Sequence, residues 1–363
     1  MKSVLVGVGQ AGGKLTTAIA SFDSRMGFGA VRACCGINTA SADLRDLPFE
    51  TVLIGQHRVS GQGVGGDNEL GAALMDHDIE QVMTTLSGVI DTETEAVFIV
   101  AGLGGGTGSG GTPVLCRRLT RVYDVPVYAL GVLPGTNEGA LYQRNAGRSL
   151  KTLLEVADAT LVVDNDAWKA AGESLGDGYA AINENIARRV GLLLAAGEST
   201  DGVAESVVDS SEIINTLRAG GLASLGYAST AASEDAAENI SVITSTTRNA
   251  VLTGASLPGA STAETALVVI AGEPERISRK GVEKARRWVE DETGTLEVRG
   301  GDFPIETTRL ASLVLLGGVD RSERVEQFFA RAEQAAAEQA EIEREAASEA
   351  EKNFQNDDLD GLF

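Results

Sequence analysis

Residues Gly104-Gly105-Gly106-Thr107-Gly108-Ser109-Gly110 set glycines and two hydroxyls directly after the apolar run Ala96–Ala101. With no Cβ in the way, the backbone N–H groups of such a run can all turn toward an anion. A helix beginning near Thr112-Pro113 would add its dipole, and Thr107 and Ser109 add donors. A flexible linker has similar composition, but a linker does not sit between a buried strand and a helix. The run therefore reads as a phosphate cradle.

A second glycine loop, Gly7-Val8-Gly9-Gln10-Ala11-Gly12 followed by Gly13, opens the chain after the run Val4–Val8. Its spacing is that of the dinucleotide fingerprint, which needs an acid at the end of the next strand to hold a ribose hydroxyl. That strand, Val31–Ile37, ends in Asn38-Thr39, and the first acid beyond it is Asp43. An NAD-dependent oxidoreductase would also leave Gly104–Gly110 unexplained. The P-loop motif fails as well: Lys14 follows Gly13, but Leu15 stands where Ser or Thr is required. Two phosphate-directed loops on one sheet suit a nucleoside triphosphate.

The elements that must hold these loops are legible as runs of apolar, β-branched residues. Val4–Val8, Val31–Ile37, Val52–Ile54, Val97–Val100, Val127–Val132 and Leu161–Val163 alternate with helix-compatible stretches, the pattern of an α/β parallel sheet covered on both faces. Ligands bind such sheets at the carboxyl ends of the strands, where the glycines gather. A long helix begins near Asp177, with Ile182, Ile186, Val190, Leu193 and Leu194 at helical spacing. Beyond it, runs at Ala266–Ala271, Thr295–Arg299 and Ser312–Leu316 and a helix over 280–292 predict a smaller α+β domain, with Thr230–Asn239 as a loop. The expected organisation is residues 1–176, a connecting helix 177–200, a second domain 201–320, and a C-terminal helix and acidic tail 321–363. The tail, 355–363, ends in an apolar tip that suits fraying or docking to a partner protein.

Composition narrows the classes. The 363 residues carry a formal net charge of −22 and 43% hydrophobic residues, with a pI of about 4.5. That field repels nucleic acid and anionic membranes, so neither is an expected partner. Acid spread along the whole chain, with Arg far exceeding Lys, fits a proteome adapted to high salt. No apolar run is long enough to span a bilayer, and Met1 leads straight into a strand without a cleavage region, so a cytoplasmic location is expected. Cys34, Cys35 and Cys116 make no disulfide framework. With only His57 and His77 in the chain, histidine-based metal sites and Ser-His-Asp catalysis find little support.

On GGGTGSG at Gly104–Gly110, and on residues Met1 to about Val319 as a whole, the chain resembles the tubulin/FtsZ superfamily, and within it the archaeal tubulin-like CetZ branch. The resemblance implies a GTP-binding domain and a smaller activation domain joined by a central helix. It aligns Gly9, Gln10, Ala11, Gly12 and Gly13 with the first phosphate loop, Gln10 following the tubulin pattern. Asn38 aligns with the second, and Gly65, Gly66 and Asn68 with the loop that senses the γ-phosphate. Asp67, in place of the usual small residue, implies a magnesium-side or water-mediated role, and Gln10 is a second magnesium-side residue. In Pro134–Gly139, Glu138 matches the ribose acceptor, assisted by Arg144 and Asn145.

The same resemblance assigns guanine recognition to Asn165, Tyr179 and Asn183. The last two share a helix face, so a ring could stack on the purine while an amide pairs with its edge. Taken alone, they are a helix-start aromatic and a solvated amide. Asp209 and Glu212 match the pair of carboxylates that completes hydrolysis, with Val207 where FtsZ commonly has Asn. Taken alone, they are solvated or capping acids at a helix start. The family's architecture places this pair at the far end of the central helix, so it would act in trans on the neighbouring subunit of a head-to-tail filament. The implied activity is an assembly-dependent GTPase using GTP/GDP and Mg2+, with a role in cell shape. Implied partners are copies of itself and paralogous tubulin-like subunits. The alternative is a nucleotide-gated structural or regulatory filament protein with little hydrolysis.

Overall fold

The computed structural model describes residues 1–167, 175–198, 208–260, 262–320 and 322–354. The chain runs β1 (Ser3–Val8), α1 (Gly9–Met26), β2 (Val31–Asn38), α2 (Ser41–Leu44), β3 (Glu50–Leu53) and α3 (Gln56–Val59). There follow α4 (Asn68–His77), α5 (Ile79–Leu86), β4 (Ala96–Gly102), α6 (Gly106–Val122), β5 (Val127–Leu133), α7 (Ala140–Val156) and β6 (Ala159–Asp164). The second half contains α8 (Leu175–Ala196), α9 (Ser210–Leu217), β7 (Leu222–Ala231), α10 (Asn239–Leu252) and β8 (Thr265–Gly272). It ends with α11 (Arg279–Thr293), β9 (Glu297–Pro304), β10 (Arg309–Gly317) and α12 (Glu323–Phe354).

Strands β3-β2-β1-β4-β5-β6 form a parallel sheet. Period-two alternation sends its side chains into two cores. Val4, Val6, Val97 and Ile99 face the side covered by α4 to α7, while Leu5, Phe98 and Val100 face α1 and α8. Both faces are apolar, as parallel strands covered by helices require. The smaller domain's strands do not form a separate sheet. They continue the first through two residue pairs, Thr160 with Leu222 and Leu161 with Ala223. Beyond that seam the pairing is antiparallel from β7 to β10 and β10 to β8, then parallel to β9.

Two boundaries differ from the sequence reading. Helix α6 begins at Gly106, not near Thr112-Pro113, so most of the glycine run forms the helix's own first turns. Small residues are needed there because α4 crosses at backbone distance: a Cβ on Gly110 would lie 2.0 Å from the Asn68 carbonyl oxygen. Strand β7, whose residues 222–231 read LASLGYASTA, carries too little hydrophobic contrast to announce itself. Only residues 232–238 of the expected loop are irregular.

Candidate functional site

The carboxyl ends of the parallel strands open into a cleft of about 540 Å³. Two helices start at its floor. Helix α1 follows β1 without a linker, possible because Gly9 takes a φ of +74°. Helix α6 starts a few residues after β4. Their first-turn N–H groups have no intrahelical acceptor, and both dipoles favour negative charge in the cleft.

Of the residues picked out in the sequence, Gly9, Gln10, Ala11, Asn38, Gly65, Gly66, Gly104, Gly105, Gly106, Thr107 and Gly108 line this cleft, as do Glu138, Asn165, Tyr179 and Asn183. Gly12, Gly13, Asn68, Ser109 and Gly110 do not, and the structure gives them packing roles. A Cβ on Gly12 would meet the Val100 carbonyl oxygen at 2.2 Å, and one on Gly13 would press on Leu47 at 3.1 Å. The Ser109 hydroxyl donates back to the Gly105 carbonyl. Asn68 begins α4, and the Asp67 carboxylate caps that helix, accepting from the Leu70 N–H at 2.9 Å.

Several contacts that local spacing could not reveal complete the cleft. Asp43 accepts from the Gln10 amide at 2.8 Å and from the Asn38 amide at 3.0 Å, tying two loops to one carboxylate. The hydroxyls of Thr39 and Thr107 meet at 2.7 Å. Fully buried Asn145 donates to the Gly66 carbonyl at 2.7 Å and the Gly104 carbonyl at 3.0 Å. It therefore staples the two glycine loops together. Glu138 accepts from the Gly135 N–H at 2.7 Å and from the Asn165 amide at 3.5 Å. The neighbouring Asp164 is 2% exposed and receives both a short Arg324 Nε bond at 2.5 Å and an Arg324 Nη2 bond at 2.8 Å. Helix α12 thus reaches back to fix the turn that carries Asn165.

The acidic pair lies at the opposite, amino ends of the strands. Asp209 is the N-cap of α9 and accepts from the Glu212 N–H at 3.1 Å and the Ser211 hydroxyl at 2.5 Å. The Ser211 bond holds the Asp209 carboxyl below the ordinary aspartate range. Burial, then the Asp209 charge, pushes Glu212 up. Between them, Ser210 donates to Glu95 at 2.8 Å. Glu95 immediately precedes β4, whereas the glycine run Gly104–Gly110 follows it, and the strand's seven residues span about 23 Å. Helix α8 separates the same two regions: Tyr179 and Asn183 are near its start, and its 22 residues cover about 33 Å. The cleft and the acid pair of one molecule are therefore far apart. Val207 and the tail 355–363 lie outside the described residues.

The chain matches two known protein domains in succession. Residues 2–173 match the tubulin/FtsZ family GTPase domain, and residues 172–334 match the C-terminal domain of tubulin-like CetZ. Tubulin-like protein CetZ2 of Haloferax volcanii is 66% identical over 363 residues, the whole of both chains. This chain belongs to the CetZ branch of the tubulin/FtsZ family. CetZ1 of the same haloarchaeon is 46% identical, covering 90% of this chain and 91% of the relative.

Among solved CetZ structures, the GTPγS-bound protofilament of Haloferax volcanii CetZ2 superposes with a TM-score of 0.90 at 66% identity, covering 94% of this chain and all of the other. The GDP-bound monomer of CetZ1 gives 0.85 at 45% identity, covering 93% and 100%. An empty FtsZ dimer from M. jannaschii, at 22% identity and 0.70 over 88% of each chain, shares the fold. Among the described residues no helix is long and apolar enough to cross a membrane.

Proposed function

We propose that this CetZ-family chain binds GTP in the cleft above β1 and β4, assembles head to tail into cytoplasmic filaments, and contributes to cell-shape control. In this reading Asp209 and Glu212 complete hydrolysis on the next subunit's GTP. The observation that carries it is their position at the strand ends opposite the cleft, which puts a molecule's own acids beyond reach of its own nucleotide. The GTPγS-bound protofilament of a relative 66% identical supports the stacking. Stacking by a heterologous contact does not close on itself, so it propagates.

The roles follow from the chemistry of each group. N–H groups of Gly9–Ala11 and Gly106–Gly108 cradle the phosphates and stabilise charge that develops on them. Asn165 and Asn183 offer amides to the guanine edge, Tyr179 offers a ring to its face, and Glu138 accepts from the ribose. Asp209, held ionised, and Glu212 orient a water in line with the γ-phosphate. Hard oxygen donors at Gln10 and Asp43 in the cleft fit Mg2+, whose chemistry when bound is to neutralise phosphate charge, whereas Asp67 caps α4 and does not line the cleft. In domain terms, residues 1–176 bind nucleotide, 177–200 connect, 201–320 supply the acids, and 321–363 brace the cleft and end in a tail suited to a docking partner.

The test is hydrolysis per subunit as a function of protein concentration in molar salt, with assembly followed by light scattering. Turnover should rise steeply with assembly, and Glu212→Ala should assemble yet hydrolyse at least tenfold more slowly. Equal turnover in dilute monomer and in filaments would overturn action in trans. Filaments that assemble with GTP but turn over equally slowly in wild type and Glu212→Ala would favour the nucleotide-gated structural reading.

A further inference from the structure

The chain has two histidines, twenty positions apart in sequence, and the fold stacks them on one another. His57 projects from α3 and His77 ends α4. Their ring centroids are 4.1 Å apart with an interplanar angle of 31°. Asp78, at the α4–α5 junction, completes the group: its Oδ1 lies 2.6 Å from His77 Nδ1, and its Oδ2 accepts from the Gly55 N–H at 2.6 Å. Each of the three residues offers a donor atom, and these atoms lie within 4.8 Å of one another. Sequence spacing hides this arrangement, because α3 and α4 are separated by the glycine-rich segment 60–67.

Both rings are exposed, so core packing does not force them together. The carboxylate is the anchored member. Its hydrogen bond from Gly55 fixes it at the base of α3, and its other oxygen orients the His77 ring. Two stacked imidazoles beside an oriented carboxylate supply the nitrogen and oxygen donors of a transition-metal site rather than one for Mg2+ or Ca2+, which prefer oxygen alone. Tetrahedral ligands at zinc distances stand about 3.4 Å apart, so a small rotation of exposed side chains closes the set.

We propose that His57, His77 and Asp78 form a binding site for a divalent transition-metal ion such as Zn2+, Co2+ or Ni2+. The ion joins α3 to the α4–α5 junction, and the remaining coordination positions are left to water. Those two elements flank segment 60–67, whose residues Gln62 to Gly66 line the nucleotide cleft. Ser60, Gly61, Gly63, Gly65 and Gly66 in that segment have positive φ, so its conformation depends on how its ends are held. Coordination bonds act at contact distance and are not weakened by salt as exposed ion pairs are. A metal clamp therefore remains effective where surface salt bridges do not.

The experiment is titration of the full-length, tag-free protein with Co2+, followed by visible absorption, and with Zn2+, followed by calorimetry and thermal unfolding. Wild type should bind one equivalent, develop a cobalt d–d band without a thiolate charge-transfer band, and unfold at higher temperature with Zn2+. His57→Gln, His77→Gln and Asp78→Asn should each weaken binding at least tenfold, since each removes one of the three donors. Both histidine changes are at exposed positions, and unchanged far-UV circular dichroism would show the variants folded. Binding that persists in His57→Gln and His77→Gln, a thiolate band, or no binding below millimolar metal would each overturn the site.

Discussion

Replacing Arg324 with alanine isolates the contact between α12 and the turn that carries Asn165. Arg324 donates twice to Asp164, and its Nη2 also reaches Asp166 at 3.3 Å. The Asp164 side chain is 3% exposed and that of Arg324 13%, so removing the guanidinium strands a carboxylate away from water. Breaking such a buried pair from one side costs about 3–5 kcal/mol. With an unfolding entropy near 2.1 cal/mol/K per residue, a chain of this length unfolding as one unit would lose about 4–7 °C in Tm. Nucleotide affinity should fall as well, because Asn165 follows Asp164 directly. The assay is thermal unfolding of Arg324→Ala, Asp164→Asn and the double variant, each paired with titration of a fluorescent guanine nucleotide. The double variant should be more stable than the sum of the two losses, since neither group is then stranded. The loss should also persist in molar salt, which screens exposed pairs such as Arg148 with Glu69 but not this one. A Tm shift below about 1 °C, or strictly additive losses, would refute the role given to Arg324.

Three further outcomes follow from the same geometry. Gly110→Ala should cost at least about 1–3 kcal/mol by overpacking, because its Cβ meets α4 backbone; Gly105→Ala, whose Cβ meets nothing within 4 Å, should be tolerated. Urea unfolding separates the two. Asn145→Ala removes two loop-stapling hydrogen bonds, worth about 1–3 kcal/mol together, and should speed nucleotide release in stopped-flow displacement; an unchanged off-rate would confine Asn145 to stability. Acid should affect Glu212 before Asp209, because burial raises the first and the Ser211 bond lowers the second. Filament turnover should therefore drop as pH falls through the raised Glu212 pKa, and Glu212→Gln should abolish that limb. For stability the signs oppose: the Asp209 contribution is present above the ordinary aspartate pKa and lost as pH falls through its lowered value. The Glu212 contribution is present below the ordinary glutamate pKa and lost as pH rises through its raised value.

The parts of the cleft that sequence exposes are those built from consecutive residues. A strand, a glycine loop and a helix start occupy one short stretch, so Gly9–Ala11 and Gly104–Gly108 announce an anion site by composition and order. What local reading cannot reach is the set of side chains that make the loops one object. Asn145 closes contacts 79 and 41 positions away, and Arg324 meets Asp164 across 160. Their residue types are ordinary for exposed helix positions, and only the fold buries them. The same limit explains the misplaced start of α6. Glycine and proline signal a break by propensity, whereas here close approach of α4 demands glycine inside the helix. For Asp209 and Glu212 the plain reading as a helix cap and the functional one are compatible, since capping leaves the Glu212 carboxylate free.

The charge of the chain bears on the cleft in a way that can be measured. Among the described lining residues Lys14 is the single cation against the two carboxylates of Asp43 and Glu138, so the cleft itself does not offset a net charge of −22. On the proposed reading, phosphates are held by N–H groups at contact range while the rest of the surface repels them. That repulsion extends about 10 Å at 0.1 M salt but only about 3 Å at 1 M, whereas hydrogen bonds within the cradle are little affected. Association of GTP should therefore accelerate as KCl rises from 0.1 to 1 M, the reverse of a site that attracts phosphate through clustered lysines and arginines. Stopped-flow association rates would show it, with circular dichroism at each salt concentration separating the effect from loss of fold. A rate that falls steadily with salt while the fold is intact would mean that cations not counted in the cleft dominate, and that backbone N–H groups are not the principal phosphate ligands.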